Sequence, residues 1–166
     1  MFIKYQNGDE KMQLNRSDRR ILSVLVENGR ATQQELGVAA GLSPSAAARR
    51  QKALEDDGIL RGYRADINLG RLGMGASVMV TITLDSQSEE AMAAFEAAVV
   101  QSPSIIRCHL MSGRNDYLLV VRAGSIEDYE MIHRQEIARL PRVARIETAF
   151  ALREVVNRTV PLRLLA

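Results

Sequence analysis

Arg49, Arg50 and Lys52 stand within four residues of one another, Ser43 and Ser45 lie just before them, and no acidic residue occurs between Leu42 and Lys52. A guanidinium presents a planar fork of donors that fits a guanine edge or a phosphate, while an ammonium or hydroxyl suits phosphate oxygens. At about 100° per residue on a helix, Ala47, Gln51 and Leu54 share one side, with Arg50 at its edge, and Ser45, Ala48, Arg49 and Lys52 lie opposite. Arg49 is therefore the candidate for reading a base, and Ser45 and Lys52 are candidates for phosphates or neighbouring bases. The full candidate contact set is Ser43, Ser45, Ala48, Arg49 and Lys52. Arg50 points partly inward, and an ion pair with an acid of the same domain is expected of it, either Asp18 or Glu55.

The elements that must hold these side chains are legible around them. Thr32 to Glu55 reads as two short helices joined at Gly41 to Ser43, which is a helix-turn-helix. Thr32 and Glu35 have capping-box spacing; Ser43 followed by Pro44 marks a second helix start; Gly41 supplies a sharp bend without a side-chain penalty. Upstream, Asn15 is placed to cap a first helix, Asp18 sits in its first turn, and Ile21, Leu22 and Leu25 form its apolar stripe, with Gly29 as the expected stop. Downstream, Asp57-Gly58 precedes Ile59, Leu60, Gly62, Tyr63 and Ala65, a run that predicts a two-stranded wing. Gly70, Gly73 and Gly75 then interrupt the periodicity, as a linker would.

From Ala76 the pattern changes. Val78, Val80 and Ile82 alternate with Met79, Thr81 and Thr83, and Ser88 opens a helix striped by Met92, Phe95 and Val99 that ends before Pro103. Ile105 to Met111 and Tyr117 to Ala123 read as strands around the turn SGRND. Ser125 and Asp128 repeat the capping-box spacing ahead of a helix carrying Tyr129, Ile132, Ile137 and Leu140, and Val143 to Leu152 is a last strand. The order βαββαβ predicts an α+β fold, with a four-stranded antiparallel ferredoxin-like sheet and both helices on one face. The other face, with apolar residues in either register, needs a partner, so a homodimer packed sheet to sheet is expected.

Composition sets the frame. The 166 residues are 46% hydrophobic and suffice for one ordinary domain or two small ones, and a soluble globular protein is expected. The net charge of +2 is unevenly spread: residues 1–64 carry 11 basic and 8 acidic side chains, residues 65–166 carry 11 and 12. The positive excess thus lies in the half with the helix-turn-helix, as phosphate contact requires. No apolar run approaches the ~20 residues of a membrane span and the N-terminus lacks the core of a secretory signal, which points to the cytoplasm. With Cys108 as the single cysteine and only His109 and His133, neither an internal disulfide nor a structural metal is expected, and no cofactor is implied. The first eleven residues lack a period and read as a disordered extension, with Met12 as an alternative start.

The whole resembles the leucine-responsive and asparagine regulator family, Lrp/AsnC, of prokaryotic transcription factors. The likeness runs from Leu14 to Leu162 and is carried by LNRSDRRIL (14–22), NGRAT (28–32), GLS (41–43), RR (49–50), LEDDGIL (54–60), GYRA (62–65) and GRNDYLL (113–119). It implies a regulator that binds double-stranded DNA as a homodimer, often as an octamer of four dimers, and that senses a small effector, commonly an amino acid. The domains then fall as an extension over 1–12, a winged helix-turn-helix over 13–66, a linker over 67–75, an effector-binding and oligomerisation domain over 76–158, and a tail over 159–166. The effector site implied comprises Gly113, Arg114, Asp116 and Tyr117. Asp116 could accept from an amino acid's ammonium, and backbone amides beside Gly113 could donate to its carboxylate. On residues alone, SGRND reads first as a plain hairpin turn, for which Gly, Asn and Asp are the expected residues, and it is the resemblance that favours the effector site. Two positions depart from the family pattern: Gln51 replaces an apolar residue on the inward side of the second helix, and Asn15 replaces an Asp, which caps equally well.

An enzyme of this architecture is the alternative, resembling the sirohaem decarboxylases, with His109 beside Arg107 as the feature that invites it. A lone strand histidine is more often packed or solvated, and no second His or carboxylate shares a motif with it.

Overall fold

The computed structural model describes residues 13–165; the extension over 1–12 and the start at Met12 lie outside them. The chain forms two compact units: one combines the described residues up to Ala65 with those from Val156 onward, and the other runs from Asp66 to Val155.

In the first unit, α1 (Arg16–Glu27) begins with a complete capping box in which the Asn15 side chain accepts from the Asp18 amide and Asp18 accepts from the Asn15 amide. It ends at Asn28 rather than Gly29. Thr32 and Glu35 cap α2 (Gln33–Ala40) in the same reciprocal way, with the Thr32 amide donating to Glu35 Oε2 at 2.6 Å. Gly41 closes α2 in the left-handed region at φ 69°, where a side chain would be strained, and Ser43 caps α3 (Pro44–Asp56) by accepting from the Ala46 amide. Ile21, Leu22, Leu25, Leu36, Ala40, Ala47 and Leu54 form the core of the three helices.

Two expectations are corrected here. The run after α3 turns at Asp57-Gly58, bends at Ile59-Leu60 and pairs with no strand among the described residues, so the winged unit lacks the two-stranded ladder that its residues predict. Side chains hold this run instead, as described below. The last residues are not a separate tail: α6 (Leu162–Leu165) lies in the first unit, and Leu165 packs on its helical core, where an apolar side chain leaves water.

The second unit opens with a 3₁₀ turn at Leu69–Leu72 inside the expected linker. Its order is β1 (Ala76–Leu84), α4 (Glu89–Gln101), β2 (Ile105–Leu110), β3 (Tyr117–Ala123), α5 (Ile126–Gln135) and β4 (Val143–Ala151). The strands form one antiparallel sheet in the order β2-β3-β1-β4, the ferredoxin-like arrangement. Val78, Val80, Ile82 and Leu84 of β1 pack with Phe95 and Val99 of α4 and Tyr129 and Ile132 of α5, so both helices cover one face. The stripe predicted to continue along α5 passes at Ile137 into a 3₁₀ turn that still buries Ile137 and Leu140. The other face carries Met79, level with Val120 on β3 and Ala149 on β4, and next to this row Thr81, level with Leu118 and Glu147. Among the described residues no helix is long and apolar enough to cross a membrane.

Candidate functional site

The register of α3 sorts its side chains as the helical count predicts. Ala47 and Leu54 are buried in the core, while Ser43, Ser45, Arg49 and Lys52 are exposed and Ala48 is half-buried. Arg49 forms no ion pair among the described residues, which leaves its whole donor fork available to a ligand. Ser43 and Ser45 lie with their hydroxyls 3.2 Å apart at the start of the helix. Lys52 Nζ lies 2.9 Å from Asp56 Oδ1 one turn on, and that hydrogen bond raises its pKa.

Of the two partners open to Arg50, the structure selects Asp18. Arg50 Nε and Nη2 donate to Asp18 Oδ1 and Oδ2 at 2.7 and 2.5 Å, a bidentate pair that joins α3 to α1. Burial by itself would raise the Asp18 pKa; the Arg50 hydrogen bonds, the Asn15 amide and the Arg50 charge outweigh it and hold the carboxyl below its ordinary value. Glu55 is engaged elsewhere, since Tyr63 donates its hydroxyl to Glu55 Oε1 at 2.7 Å. Gln51 links this pair to α2: its amide donates to the Tyr63 hydroxyl and its oxygen accepts from Gln33 Nε2 at 2.6 Å. Gln51 is thus a bridge between α2, α3 and the chain beyond. Burial first, and then the bond to Glu55, raises the Tyr63 pKa.

In the second unit the four turn residues do not converge. Asp116 is buried, with Oδ2 accepting from the Leu84 amide and Oδ1 from Gln87 Nε2, each at 2.7 Å. Tyr117 is 1% exposed and stacks on Phe95 with ring centroids 4.5 Å apart, while its hydroxyl donates to Glu96 Oε1 at 2.8 Å. Burial and that carboxylate push the tyrosine's pKa up strongly. The Asp116 carboxylate is thus occupied by Leu84 and Gln87, and the Tyr117 ring lies in the core of the sheet. Arg114 instead joins Thr81, Met111, Ser112, Asn115 and Leu118 around a concavity of about 210 Å³ on the uncovered side. Gly113 bends the turn at φ 134°, in the region that favours glycine. Gln33, Tyr63, Gln87 and Glu96 escape reasoning from sequence, because a lone polar residue on a helix or loop announces no partner on another segment, 8 to 29 residues away.

His109 and Arg107, the pair behind the enzyme alternative, lie on β2 opposite Leu118 and Val120. Both are exposed.

Residues 77–161 match the family model of the Lrp/AsnC ligand binding domain, and residues 14–61 match a winged helix-turn-helix DNA-binding model. The chain belongs to the Lrp/AsnC family. The Bkd operon transcriptional regulator of Pseudomonas aeruginosa is 34% identical to this Lrp/AsnC chain over 149 residues, 90% of this chain and 97% of that protein. The leucine-responsive regulatory protein of Salmonella typhimurium is 37% identical, across 86% of this chain and 87% of its own. Among solved structures, a transcriptional regulator from Neisseria meningitidis in complex with L-Met superposes with a TM-score of 0.86 at 31% identity, covering 93% of this chain and 100% of that one. The Lrp/AsnC chain is accordingly a transcriptional regulator with a winged helix-turn-helix unit and a ligand-binding unit.

Proposed function

We propose that this regulator acts in the cytoplasm as a homodimer, or as a higher assembly of dimers, and sets α3 into the major groove of double-stranded DNA under the control of an amino-acid effector. The observation that carries the DNA reading is the division of α3: Arg50 is fastened to Asp18 at its inner edge, while Ser45, Arg49 and Lys52 stand outward on a helix whose tilt is thereby fixed. Arg49 is assigned a guanine edge, and Ser43, Ser45, Ala48 and Lys52 phosphates or flanking bases. The effector reading rests on the ligand-binding domain match and on the L-Met bound to the Neisseria relative. Arg114 and the backbone beside Gly113 supply donors for a carboxylate at the concavity, and Asp116 positions them. We read the chain as a regulator and not as a decarboxylase, since the relatives named above are regulators.

Footprinting of the wild-type protein, paired with calorimetry against the common amino acids, tests both halves. Replacing Arg49 by Ala is expected to cost about 1–3 kcal/mol of binding and to relax the preference at one base position. Equal weakening on every sequence would move Arg49 to a phosphate, and unchanged binding would remove α3 from the groove.

A further inference from the structure

We propose that the C-terminal segment Val156–Leu165 is a strap that carries the state of the ligand-binding unit to α1, and through α1 to the recognition helix α3. This rests on the reading that α3 binds DNA under the control of an amino-acid effector.

The chain itself supplies the connection. Among the described residues it crosses between the two units twice, from Ala65 to Asp66 and from Val155 back to Val156. A unit held at one crossing is free to swivel about it, whereas a second crossing removes that freedom. The return is short: four residues, Leu152 to Val155, separate the end of β4 from Val156. At up to about 3.6 Å per residue they leave little slack. β4 is paired with β1 from Val143 to Ala151, so the strap starts from the body of the sheet.

The far end is docked. α6 lies against α1, and the Leu164 amide donates to the Pro161 carbonyl oxygen at 3.0 Å. Leu165 joins Leu14, Ile59 and Leu60 among the half-buried side chains around the core of the three helices. Leu162 and Leu164 are exposed, which makes Leu165 the apolar anchor. A single turn of helix does not hold together on its own, and packing on α1 is what orders this one.

From α1 the route to α3 is rigid. Asp18 of α1 holds Arg50 of α3 by two hydrogen bonds, and Ile21, Leu22 and Leu25 share a core with Ala47 and Leu54. A ligand alters DNA affinity only by favouring one arrangement of the chain over another. A pull or a release at Val156 shifts α1, and α3 with Arg49 moves with it.

The test inserts eight Gly and Ser residues between Val155 and Val156 of the full chain, adding about 15 Å of flexible reach while leaving Leu165 free to dock. Fluorescence anisotropy on the duplex found by footprinting follows affinity with and without a mixture of the common amino acids. Wild type should change its affinity about 5–150-fold on adding the mixture, and the insertion variant less than about two-fold. Without amino acids the two should bind alike. The mixture should raise the thermal midpoint of both proteins, since both still take the ligand. L165E should lower the midpoint and weaken binding to every duplex, and L165M should restore both. A full response in the insertion variant overturns the strap, and so does a lost response that comes with a lost thermal gain. Wild-type stability and binding in L165E overturn the docking of α6. A wild-type protein that binds DNA and ignores the mixture overturns the effector reading, and the strap with it.

Discussion

Asp18 shows how one buried carboxylate decides what its neighbours are free to do. It caps α1, has no exposure to solvent, and takes both of its oxygens to Arg50, so a cation that adds to the positive count of α3 serves the domain core and leaves Arg49 to face outward. Replacing Arg50 by Ala leaves a buried acid without its partner and is expected to cost about 2–3 kcal/mol, below the usual figure for a fully buried pair because the Arg50 side chain is 37% exposed. The pH dependence has a definite sign. The folded pKa of Asp18 lies below its unfolded value, so the pair's contribution is complete above about pH 4 and is lost as pH falls through the lowered folded value. Urea midpoints at neutral pH and near pH 3 should therefore differ more for wild type than for D18N. Equal differences in the two proteins would show that the pair adds nothing.

At the scale of elements, Gly37 shows what the helix-turn-helix demands of its backbone. It is buried inside α2, and a Cβ there would sit 2.7 Å from the Leu42 carbonyl oxygen and 3.4 Å from Pro44 N, so the turn into α3 closes over the glycine. G37A should gain helix propensity, worth about 1 kcal/mol, yet lose more to the clash, for a net destabilisation of about 1–3 kcal/mol by urea unfolding. A stabilised G37A would mean that the turn can open without cost. The sequence carries the sign of this constraint, since a glycine in a helix interior asks for a reason. It does carry the helices, their caps and the strand order, because those depend on spacing within one element: Asn15 with Asp18, Thr32 with Glu35, and the alternation of Val78, Val80 and Ile82 are all local. The candidate site was legible to the same depth. The outward stripe of α3 follows from a count along one helix, whereas the commitments of Asp116 to Leu84 and Gln87, of Tyr117 to Glu96 and of Tyr63 to Glu55 depend on packing between segments. The paired wing failed for a related reason. Alternation and a turn dipeptide permit a hairpin, but here side-chain bonds to α3 hold the run in place of a ladder.

For the molecule as a whole, the face of the sheet that α4 and α5 leave uncovered is where we propose that two copies meet. Met79 stands on the central strand β1, level with Val120 and Ala149 on either side, and a β4 ion pair, Arg145 with Glu147 at 2.6 Å, lies alongside. An apolar centre beside charged groups is the anatomy of a protein interface, and the occupant proposed is the same face of a second copy. Two copies would present two α3 helices to successive major grooves, which calls for half-sites about one helical turn apart. M79D places an unpaired carboxylate at the middle of that contact, where desolvation costs several kcal/mol. Light scattering should find the variant as a monomer at concentrations where wild type is a dimer. A charge at Val38, which is 80% exposed on α2, should leave the dimer intact and serves as the control. Binding should then divide by site: M79D keeps the weak affinity of one recognition helix for a half-site and loses the gain from engaging two at once, so its preference for a complete palindrome over a half-site disappears. A dimeric M79D with an undiminished palindrome preference would place the interface elsewhere on the molecule.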